Sequence, residues 1–217
     1  MSDVSSESID RVDWVVVVPV KRLDRAKTRL SSRPAPARRE LSLAFALDTV
    51  AAALAAEHVR AVVVVSDDDD VRRAIESLGA RFLPDESGEG LNPALAVAAH
   101  ALSRSDPGLG IAVLVGDLPA LRPHELARAL AAAAGVRRGL VSDSAGTGTT
   151  LLCAAPGIEL EPGFGVRSRA VHIASGAIEL APGVVPGLRR DVDNEVDLWD
   201  ADRLGLGPAT TAALSGD

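Results

Sequence analysis

The stretch that decides the fold of this chain is Trp14-Val15-Val16-Val17-Val18-Pro19-Val20. It is apolar throughout and rich in β-branched residues, without the alternation of polar and apolar residues that a strand with one solvent-facing side would show. This pattern predicts a strand covered on both faces, as in a parallel sheet. Three later stretches have the same character and predict further strands: 61–65, 111–115 and 150–153.

Helical patterns lie between these predicted strands. The apolar residues of one helical face recur at intervals of four, three and four: Leu43, Leu47, Val50 and Leu54. Similar patterns cover three further segments: 69–78, 93–104 and 122–134. Strands that alternate with helices predict an α/β sandwich with crossover connections.

The organisation along the chain is simple. We expect a disordered tail over residues 1–12, because this segment is polar and has no periodicity. Residues 13–217 are predicted to form one domain, since no linker rich in Pro, Gly or Ser divides them. The segment from about Gly205 onward is weakly patterned and is expected to be loose.

Composition narrows the class of protein. The chain has 217 residues, 23 basic and 30 acidic side chains, and a formal net charge of -7, which argues against general binding to nucleic acid. Its one cysteine, Cys153, rules out an internal disulfide framework. No apolar run approaches the roughly 20 residues that a membrane span needs. We therefore expect a cytoplasmic protein with no membrane partner.

The residues that follow the first strand are strongly basic. Residues 21–39 hold eight basic side chains, and both lysines of the chain, Lys21 and Lys27, are among them. So dense a cluster in an acidic protein indicates an anion, and a triphosphate is the obvious candidate. A solvated surface before a helix is the alternative. The chain has no Walker motif, and Leu151 occupies the third glycine position of the dinucleotide fingerprint that would start at Gly146.

Acidic residues follow two other predicted strands. Asp117 comes soon after a buried strand, and Asp191-Val192-Asp193 is predicted to close another short strand. Asp117, Asp191 and Asp193 would form a hard oxygen site that suits Mg²⁺ bound jointly with substrate phosphates. Capping of the helix predicted over 195–204 explains Asp193 equally well.

A third group of residues lies between positions 143 and 172. It contains Gly146-Thr147-Gly148-Thr149 and Gly163-Phe164-Gly165-Val166-Arg167-Ser168-Arg169. Glycines with hydroxyls and arginines near a helix start can hold a small phosphorylated acid through backbone amides and charge-assisted hydrogen bonds. The four histidines have no metal-binding spacing, and each is expected to be structural, His172 least clearly.

Taken together, these motifs resemble the 2-phospholactate guanylyltransferase family, CofC, and within it the actinobacterial FbiD branch that uses phosphoenolpyruvate. One departure from the family pattern is Asn194-Glu195, which stands where Thr-Pro usually follows Asp-Val-Asp. The matching motifs occur in order along the chain: Val20-Lys21-Arg22-Leu23, Ala26-Lys27-Thr28-Arg29-Leu30, Gly116-Asp117-Leu118-Pro119-Ala120-Leu121, Gly146-Thr147-Gly148-Thr149, Phe164-Gly165 with Ser168 and His172, and Asp191-Val192-Asp193 with Asp197-Leu198.

The resemblance implies a GT-A-like, Rossmann-like nucleotidyltransferase sandwich with a mixed, mostly parallel sheet. It implies transfer of GMP from GTP to phosphoenolpyruvate, or to a related phosphorylated hydroxy acid, with release of pyrophosphate, in the biosynthesis of coenzyme F-420. It also implies roles for particular residues: Lys21, Arg22 and Lys27 with Asn92 in nucleotide binding, Lys21, Lys27, Arg29 and Asp117 in catalysis, Thr149, Gly165 and Ser168 in binding the phosphorylated acid, and Asp117, Asp191 and Asp193 as ligands of Mg²⁺.

Two alternatives stay open on the sequence. Another nucleotidyltransferase of the same fold would use 2-phospho-L-lactate, a sugar phosphate or a molybdopterin as the acceptor. A non-catalytic regulatory domain would bind a guanine nucleotide without turning it over. The oligomeric state is also open, with a homodimer among the alternatives.

Overall fold

A computed structural model of the chain describes residues 12–25, 27, 30, 33–85 and 90–216. The strands of these residues are β1 (Trp14–Pro19), β2 (Val59–Ser66), β3 (Arg81–Pro84), β4 (Gly110–Leu114), β5 (Arg138–Ser142), β6 (Thr149–Ala154) and β7 (Ile178–Glu179). They form one seven-stranded sheet in the order β3-β2-β1-β4-β6-β5-β7.

Most neighbouring strands of the sheet are parallel. β1 pairs in parallel with β2 and with β4, β2 with β3, and β5 with β7. β6 runs antiparallel to both of its neighbours, β4 and β5. The expected mixed, mostly parallel sheet is therefore confirmed, as are the four strands predicted from uninterrupted apolar runs.

Helices cover both faces of the sheet. They are α1 (Ala35–Leu54), α2 (Asp69–Ser77), α3 (Leu91–Ser105), α4 (Pro123–Ala133), α5 (Ser168–Ala174), α6 (Pro186–Arg189), α7 (Glu195–Leu204) and α8 (Pro208–Ser215), with a short 3-10 helix at Leu23–Arg25. The four helical patterns found in the sequence correspond to α1 to α4; the pattern at 69–78 extends one residue beyond α2, and the pattern at 122–134 extends one residue beyond α4 at each end.

The buried side chains of β1 explain why its sequence does not alternate. Val16 and Val18 pack into one hydrophobic cluster with α1, α2 and α4, whereas Val15 and Val17 pack into a second cluster with α3. Full burial of each such valine stabilises the fold by roughly 1.5–3 kcal/mol. Both faces of the central strand thus belong to the core, and polar residues are left to the strand ends.

Two expectations about the C-terminal part of the chain are wrong. Residues 191–193 form an irregular segment between α6 and α7 instead of closing a strand. The segment after Gly205 is not loose, because it forms α8, which docks on α1. The buried Asp48 carboxylate of α1 accepts hydrogen bonds from the amides of Ala209 and Thr210, at 2.9 and 2.8 Å. The expectation failed because the small residues of α8 give little periodic hydrophobic pattern. The helix is instead held by the Asp48 carboxylate, which is distant in sequence.

At the N-terminus, the predicted disordered tail lies outside the described residues up to residue 11. Val12, the last residue of that predicted segment, packs against the core. Among the described helices, none has both the length and the apolar character needed to cross a lipid bilayer.

Candidate active site

The three groups of candidate residues meet at one edge of the sheet. The parallel strands β1 and β4 both end there, which brings Lys21 and Asp117 to the same side. β6 begins at this edge because it is antiparallel, and the amide of Val115 donates to the carbonyl of Thr150 at 3.0 Å. Thr149, the first residue of β6, therefore lies beside the point where β4 ends.

A backbone contact brings the three predicted metal-binding aspartates together. The amide of Val192 donates to the carbonyl of Asp117 at 3.0 Å, and the Val192 side chain is fully buried. Asp191 and Asp193 flank this anchored residue, so both are held close to Asp117. We call Asp117, Asp191 and Asp193 the carboxylate cluster.

Gly116 allows the chain to approach β1 closely just before Asp117. A Cβ atom at this position would lie 2.9 Å from the carbonyl oxygen of Pro19, which is backbone and cannot move aside cheaply. The glycine thus places the carboxylate cluster next to the basic segment that follows β1.

Lys27 joins the basic segment to the carboxylate cluster. Its Nζ atom donates to Asp117 Oδ2 and, at 3.1 Å, to Asp193 Oδ1. The Lys27 side chain is only 11% exposed. Burial alone would lower the pKa of Lys27, but the attraction of Asp117 and Asp193 outweighs it, so the pKa lies above its usual value. Lys27 is therefore a fixed positive charge within the cluster.

Asp191 experiences the opposite electrostatic situation. Burial, followed by repulsion from Asp117 and Asp193, raises the pKa of Asp191 to about 7. A cation bound beside Asp191 would stabilise the ionised form of this carboxyl group, whose pKa lies near neutral pH because of burial and the two neighbouring negative charges. The three oxygen donors of the cluster are the type that hard divalent cations prefer.

In this structure the Lys27 ammonium occupies the space between the carboxylates of Asp117 and Asp193. Within residues 12–25, 27, 30, 33–85 and 90–216, no group of three or more His, Cys, Asp and Glu side chains has an arrangement that could hold a metal ion as it stands. The Lys27 ammonium contacts the carboxylate oxygens of Asp117 and Asp193 that a cation would also use. A metal ion bound at the cluster would compete with Lys27 for the same oxygens. The donor chemistry fits a divalent cation, provided that the ammonium moves aside.

The structure divides the basic segment into two parts. Lys21 and Arg22 are exposed at the end of β1, and Arg29 lies outside the described residues. Further along, Arg33 lies 3.8 Å from Glu195, and Arg39 pairs with Asp70. The arginines at the start of α1 therefore contribute to packing between elements, whereas Lys27 pairs directly with the carboxylate cluster.

Asn194, and not Asp193, caps α7. The Asn194 Oδ1 atom accepts hydrogen bonds from the amides of Val196 and Asp197, at 2.9 and 3.2 Å. The Asp197 carboxylate in turn accepts from the amides of Asp193 and Asn194. The capping alternative for Asp193 is therefore wrong, and its carboxylate points to Lys27.

The predicted acid-binding residues are held together by backbone hydrogen bonds. We call residues 163–168 the glycine loop; it contains Gly165 and Ser168. The amide of Ser168 donates to the carbonyl of Gly165 at 3.2 Å. The amide of Arg169 donates to the carbonyl of Thr147 at 3.2 Å, which ties the end of the loop to the turn before Thr149.

The turn between β5 and β6 is shaped by a single carboxylate. Asp143 accepts hydrogen bonds from the amides of Thr147 and Gly148, both at 2.8 Å. A Cβ atom at position 148 would lie 2.5 Å from the Asp143 carboxylate, so this close contact requires glycine. The Gly146-Thr147-Gly148-Thr149 motif thus serves to place Thr149 at the active edge.

His172 links Thr149 to the glycine loop. Its Nδ1 atom lies 2.9 Å from Thr149 Oγ1, and its Nε2 atom accepts a hydrogen bond from the amide of Gly163 at 2.8 Å. The ring is fully buried and packs edge to face against Phe164, with 5.0 Å between the ring centres. Burial, and then the positive charge of Arg138, lowers the pKa of His172 to about 4. The imidazole is neutral at physiological pH.

Asn92 holds the glycine loop from the other side. Its Nδ2 atom donates to the carbonyl of Phe164 at 2.9 Å, and its Oδ1 atom accepts from the amide of Phe164 at 2.8 Å. The two ends of the Asn92 amide are thus both bonded to the loop. A contact between Asn92 and guanine stays a prediction, and no pattern in the sequence pointed to a partner 72 residues away.

This fold and site define a class of protein. A sheet that brings a carboxylate cluster, lysines and a glycine loop to one edge, beside the ends of parallel strands, is an arrangement typical of nucleotidyltransferases. A nucleotidyl transferase from Methanothermobacter superimposes with a TM-score of 0.63 at 19% identity, over 88% of this chain and 97% of the other. Rv0371c from Mycobacterium tuberculosis, solved in complex with manganese, superimposes with a TM-score of 0.52 at 20% identity, over 88% and 97% of the two chains. These likenesses show the fold.

The family follows from closer relatives. The sequence pattern of the family described as "Guanylyl transferase CofC like" matches residues 14–175. A phosphoenolpyruvate guanylyltransferase of Streptomyces avermitilis is 53% identical over 205 residues, which cover 94% of this chain and 95% of that protein. The chain belongs to the CofC-like guanylyl transferase family, as its motifs predicted.

Proposed function

We propose that the chain transfers GMP from GTP to phosphoenolpyruvate and releases pyrophosphate, forming enolpyruvyl-diphospho-guanosine for the biosynthesis of coenzyme F-420. The observation that carries this proposal is that two groups of candidate binding residues lie at one sheet edge. The carboxylate cluster with Lys27 lies at the end of β4, and Thr149 with the glycine loop lies at the start of β6. A domain that only bound a nucleotide would need one of these sites.

The reaction requires two anions to be brought together. An oxygen of the phosphoenolpyruvate phosphate attacks the α-phosphorus of GTP, and the bond from that phosphorus to the bridging oxygen breaks. Pyrophosphate leaves with the electron pair. A phosphomonoester with a second pKa of about 6 is largely dianionic at neutral pH, so its oxygen needs no general base. The neutral, hydrogen-bonded His172 is consistent with a site that moves no proton.

The proposed roles of the residues follow from this chemistry. Asp117, Asp191 and Asp193 would hold Mg²⁺, which supplies positive charge to the facing phosphate groups when it is bound. Lys21 and Arg22 would bind the phosphates of GTP, because they follow β1 at the same edge. Arg29, outside the described residues, is proposed for the same role from the family resemblance. Lys27 would neutralise charge in the departing pyrophosphate once its carboxylate partners hold a cation.

The acceptor half of the proposal uses the other group of residues. Thr149, Gly165 and Ser168 would bind phosphoenolpyruvate through hydroxyl and backbone amide donors. Thr149 begins β6, and Arg169, next to Ser168, is hydrogen-bonded to Thr147, so an acid bound by these residues would lie near the carboxylate cluster. Asn92 is proposed as the guanine contact on the α3 side, and it also holds the glycine loop in place.

The test is a substrate panel with a matched variant. The purified chain is incubated with Mg²⁺, each nucleoside triphosphate in turn, and phosphoenolpyruvate, 2-phospho-L-lactate or a sugar phosphate. Pyrophosphate release is recorded, and the products are weighed by mass spectrometry. We expect turnover with GTP and phosphoenolpyruvate, and its loss in Asp117→Asn, which removes one cluster charge but keeps the side-chain volume.

Three results would contradict the proposal. Preference for 2-phospho-L-lactate would assign the other acceptor of the family, and GTP binding without pyrophosphate release for any acceptor would indicate a regulatory domain. Normal turnover by Asp117→Asn would remove that carboxylate from the mechanism.

A further inference from the structure

The hydrogen bonds around His172 fix the proton of its ring. A backbone amide can only donate, so the 2.8 Å contact with the Gly163 amide makes Nε2 of His172 the acceptor and leaves it without a hydrogen. A neutral imidazole then carries its hydrogen on Nδ1. The low pKa of His172, caused by burial and by the charge of Arg138, agrees with a neutral ring.

The tautomer also fixes the direction of the Thr149 hydroxyl. Since Nδ1 carries the hydrogen, it donates to Thr149 Oγ1 across 2.9 Å. The hydroxyl accepts this bond, and its own hydrogen must be donated elsewhere. Among residues 12–25, 27, 30, 33–85 and 90–216, no acceptor for that hydrogen is found, although Thr149 is buried. A buried donor without an acceptor costs about 1–3 kcal/mol, so an anionic oxygen that accepts from Thr149 Oγ1 would relieve this cost.

We propose that His172 is a positioning residue of the acceptor site: it orients the Thr149 hydroxyl so that the hydroxyl donates to the phosphorylated acid, and it fixes the glycine loop through Gly163. This inference rests on the proposed function. It assigns to His172 a part in acceptor recognition and no part in the chemical step, because the ring touches Thr149 and Gly163 and reaches the substrate only through them.

Local packing supports a ring that cannot reorient. A Cβ atom at Gly163 would lie 2.7 Å from Val171 Cγ1 and 3.5 Å from the His172 ring, so the loop backbone is pressed against the imidazole. Phe164 closes the ring's side at 5.0 Å between centres. The orientation of the Thr149 hydroxyl is therefore built into the fold before any substrate binds.

Two isosteric variants separate the two hydrogen bonds of His172. His172→Asn places an amide nitrogen near the Nδ1 position and can still donate to Thr149, but it cannot reach Gly163. His172→Gln places an amide oxygen near the Nε2 position and can still accept from Gly163, but it cannot donate to Thr149. The exposed His100→Gln on α3 is the matched control.

We expect His172→Gln to raise the KM for phosphoenolpyruvate about tenfold or more, the effect of losing one hydrogen bond to a charged oxygen. kcat and the KM for GTP should stay within about twofold. His172→Asn should have the smaller effect on the acceptor KM. In a Thr149→Val background, His172→Gln should add little, since the hydroxyl that it orients is gone. A larger effect of His172→Asn, or full additivity with Thr149→Val, would overturn the orienting role.

A measurement on the unmodified protein keeps the inference testable if these buried variants fail to fold. Nitrogen-15 NMR of the histidine rings, assigned through bonds, should show His172 with a hydrogen on Nδ1 and none on Nε2 at pH 7. The opposite tautomer, or an imidazolium ring, would overturn the inference. Absence of turnover with phosphoenolpyruvate in the wild-type chain would instead count against the proposed function, and the NMR result would not depend on it.

Discussion

Replacement of Asn92 by alanine tests how the two halves of the site are connected. Asn92→Ala removes both hydrogen bonds to the backbone of Phe164, at 2.9 and 2.8 Å. Each is worth about 0.5–1.5 kcal/mol net, so the glycine loop loses about 1–3 kcal/mol of stabilisation. If the acceptor must restore the order of the loop, this loss appears in acceptor binding as a factor of about 5 to 150.

The assay is steady-state kinetics with each substrate varied in turn. We expect Asn92→Ala to raise the KM for phosphoenolpyruvate by this factor, and to raise the KM for GTP as well if Asn92 also contacts guanine. Val97→Ala, an exposed truncation on the same helix, is the control and should leave both constants unchanged. A raised KM for GTP with an unchanged KM for the acceptor would refute the loop-holding role and support the contact with guanine.

Three further predictions concern stability. Gly187→Ala should lower the free energy of unfolding in urea by about 1–3 kcal/mol, because the new Cβ would collide with the carbonyl of Ala120. The control is Gly108→Ala, whose Cβ would make only an ordinary contact at 3.7 Å. This control should change the free energy of unfolding by about 0.5 kcal/mol or less. Asp48→Ala should lower the free energy of unfolding by about 1–3 kcal/mol, because the amides at the start of α8 lose their acceptor. The exposed Asp202→Ala is the control. Equal stability of the two variants would show that α8 docks without the Asp48 carboxylate. The pKa of His172 is about 4 in the folded chain and 6.5 in the unfolded chain, so the unfolded chain takes up a proton at higher pH. The free energy of unfolding should therefore fall by up to about 3 kcal/mol as the pH drops from 6.5 to 4, and this contribution should level off below pH 4. An unchanged pH dependence in His172→Gln would contradict this.

The strands that the sequence predicts are those buried on both faces. β1, β2, β4 and β6 consist largely of uninterrupted apolar residues, and this composition is rare outside a covered strand. β3 and β7 escape detection because they have four and two residues. β5 begins with Arg138, whose guanidinium bonds to Ser175 and, at 2.9 Å, to Glu161. Its charge is satisfied by partners that are distant in sequence, so local pattern gives no sign of a strand.

In the candidate site too, the sequence locates the residues that follow predicted strands but not the contacts made between distant segments. Asp117 and Lys21 could be located because the ends of parallel strands share one edge, which is a property of the fold class. Thr149 lies at the start of a strand, and only the antiparallel direction of β6 brings it to that edge. The partners of His172 and Asn92 were not predictable, since Gly163 and Phe164 become their neighbours through tertiary packing alone.

The position of the glycine loop along the chain has a consequence for how such enzymes diversify. Thr149, Gly165, Ser168 and His172 all fall within residues 143–179, one continuous block between β5 and the end of β7, whereas the cations and Asp117 come from the first 117 residues. If these residues bind the acceptor as proposed, recombination at the two borders of that block would exchange the preference for one small acid for another while leaving the nucleotide half intact. Asn92 lies outside this block and Phe164 lies inside it. A chimera whose parents differ at these positions would therefore lose the hydrogen bonds between them.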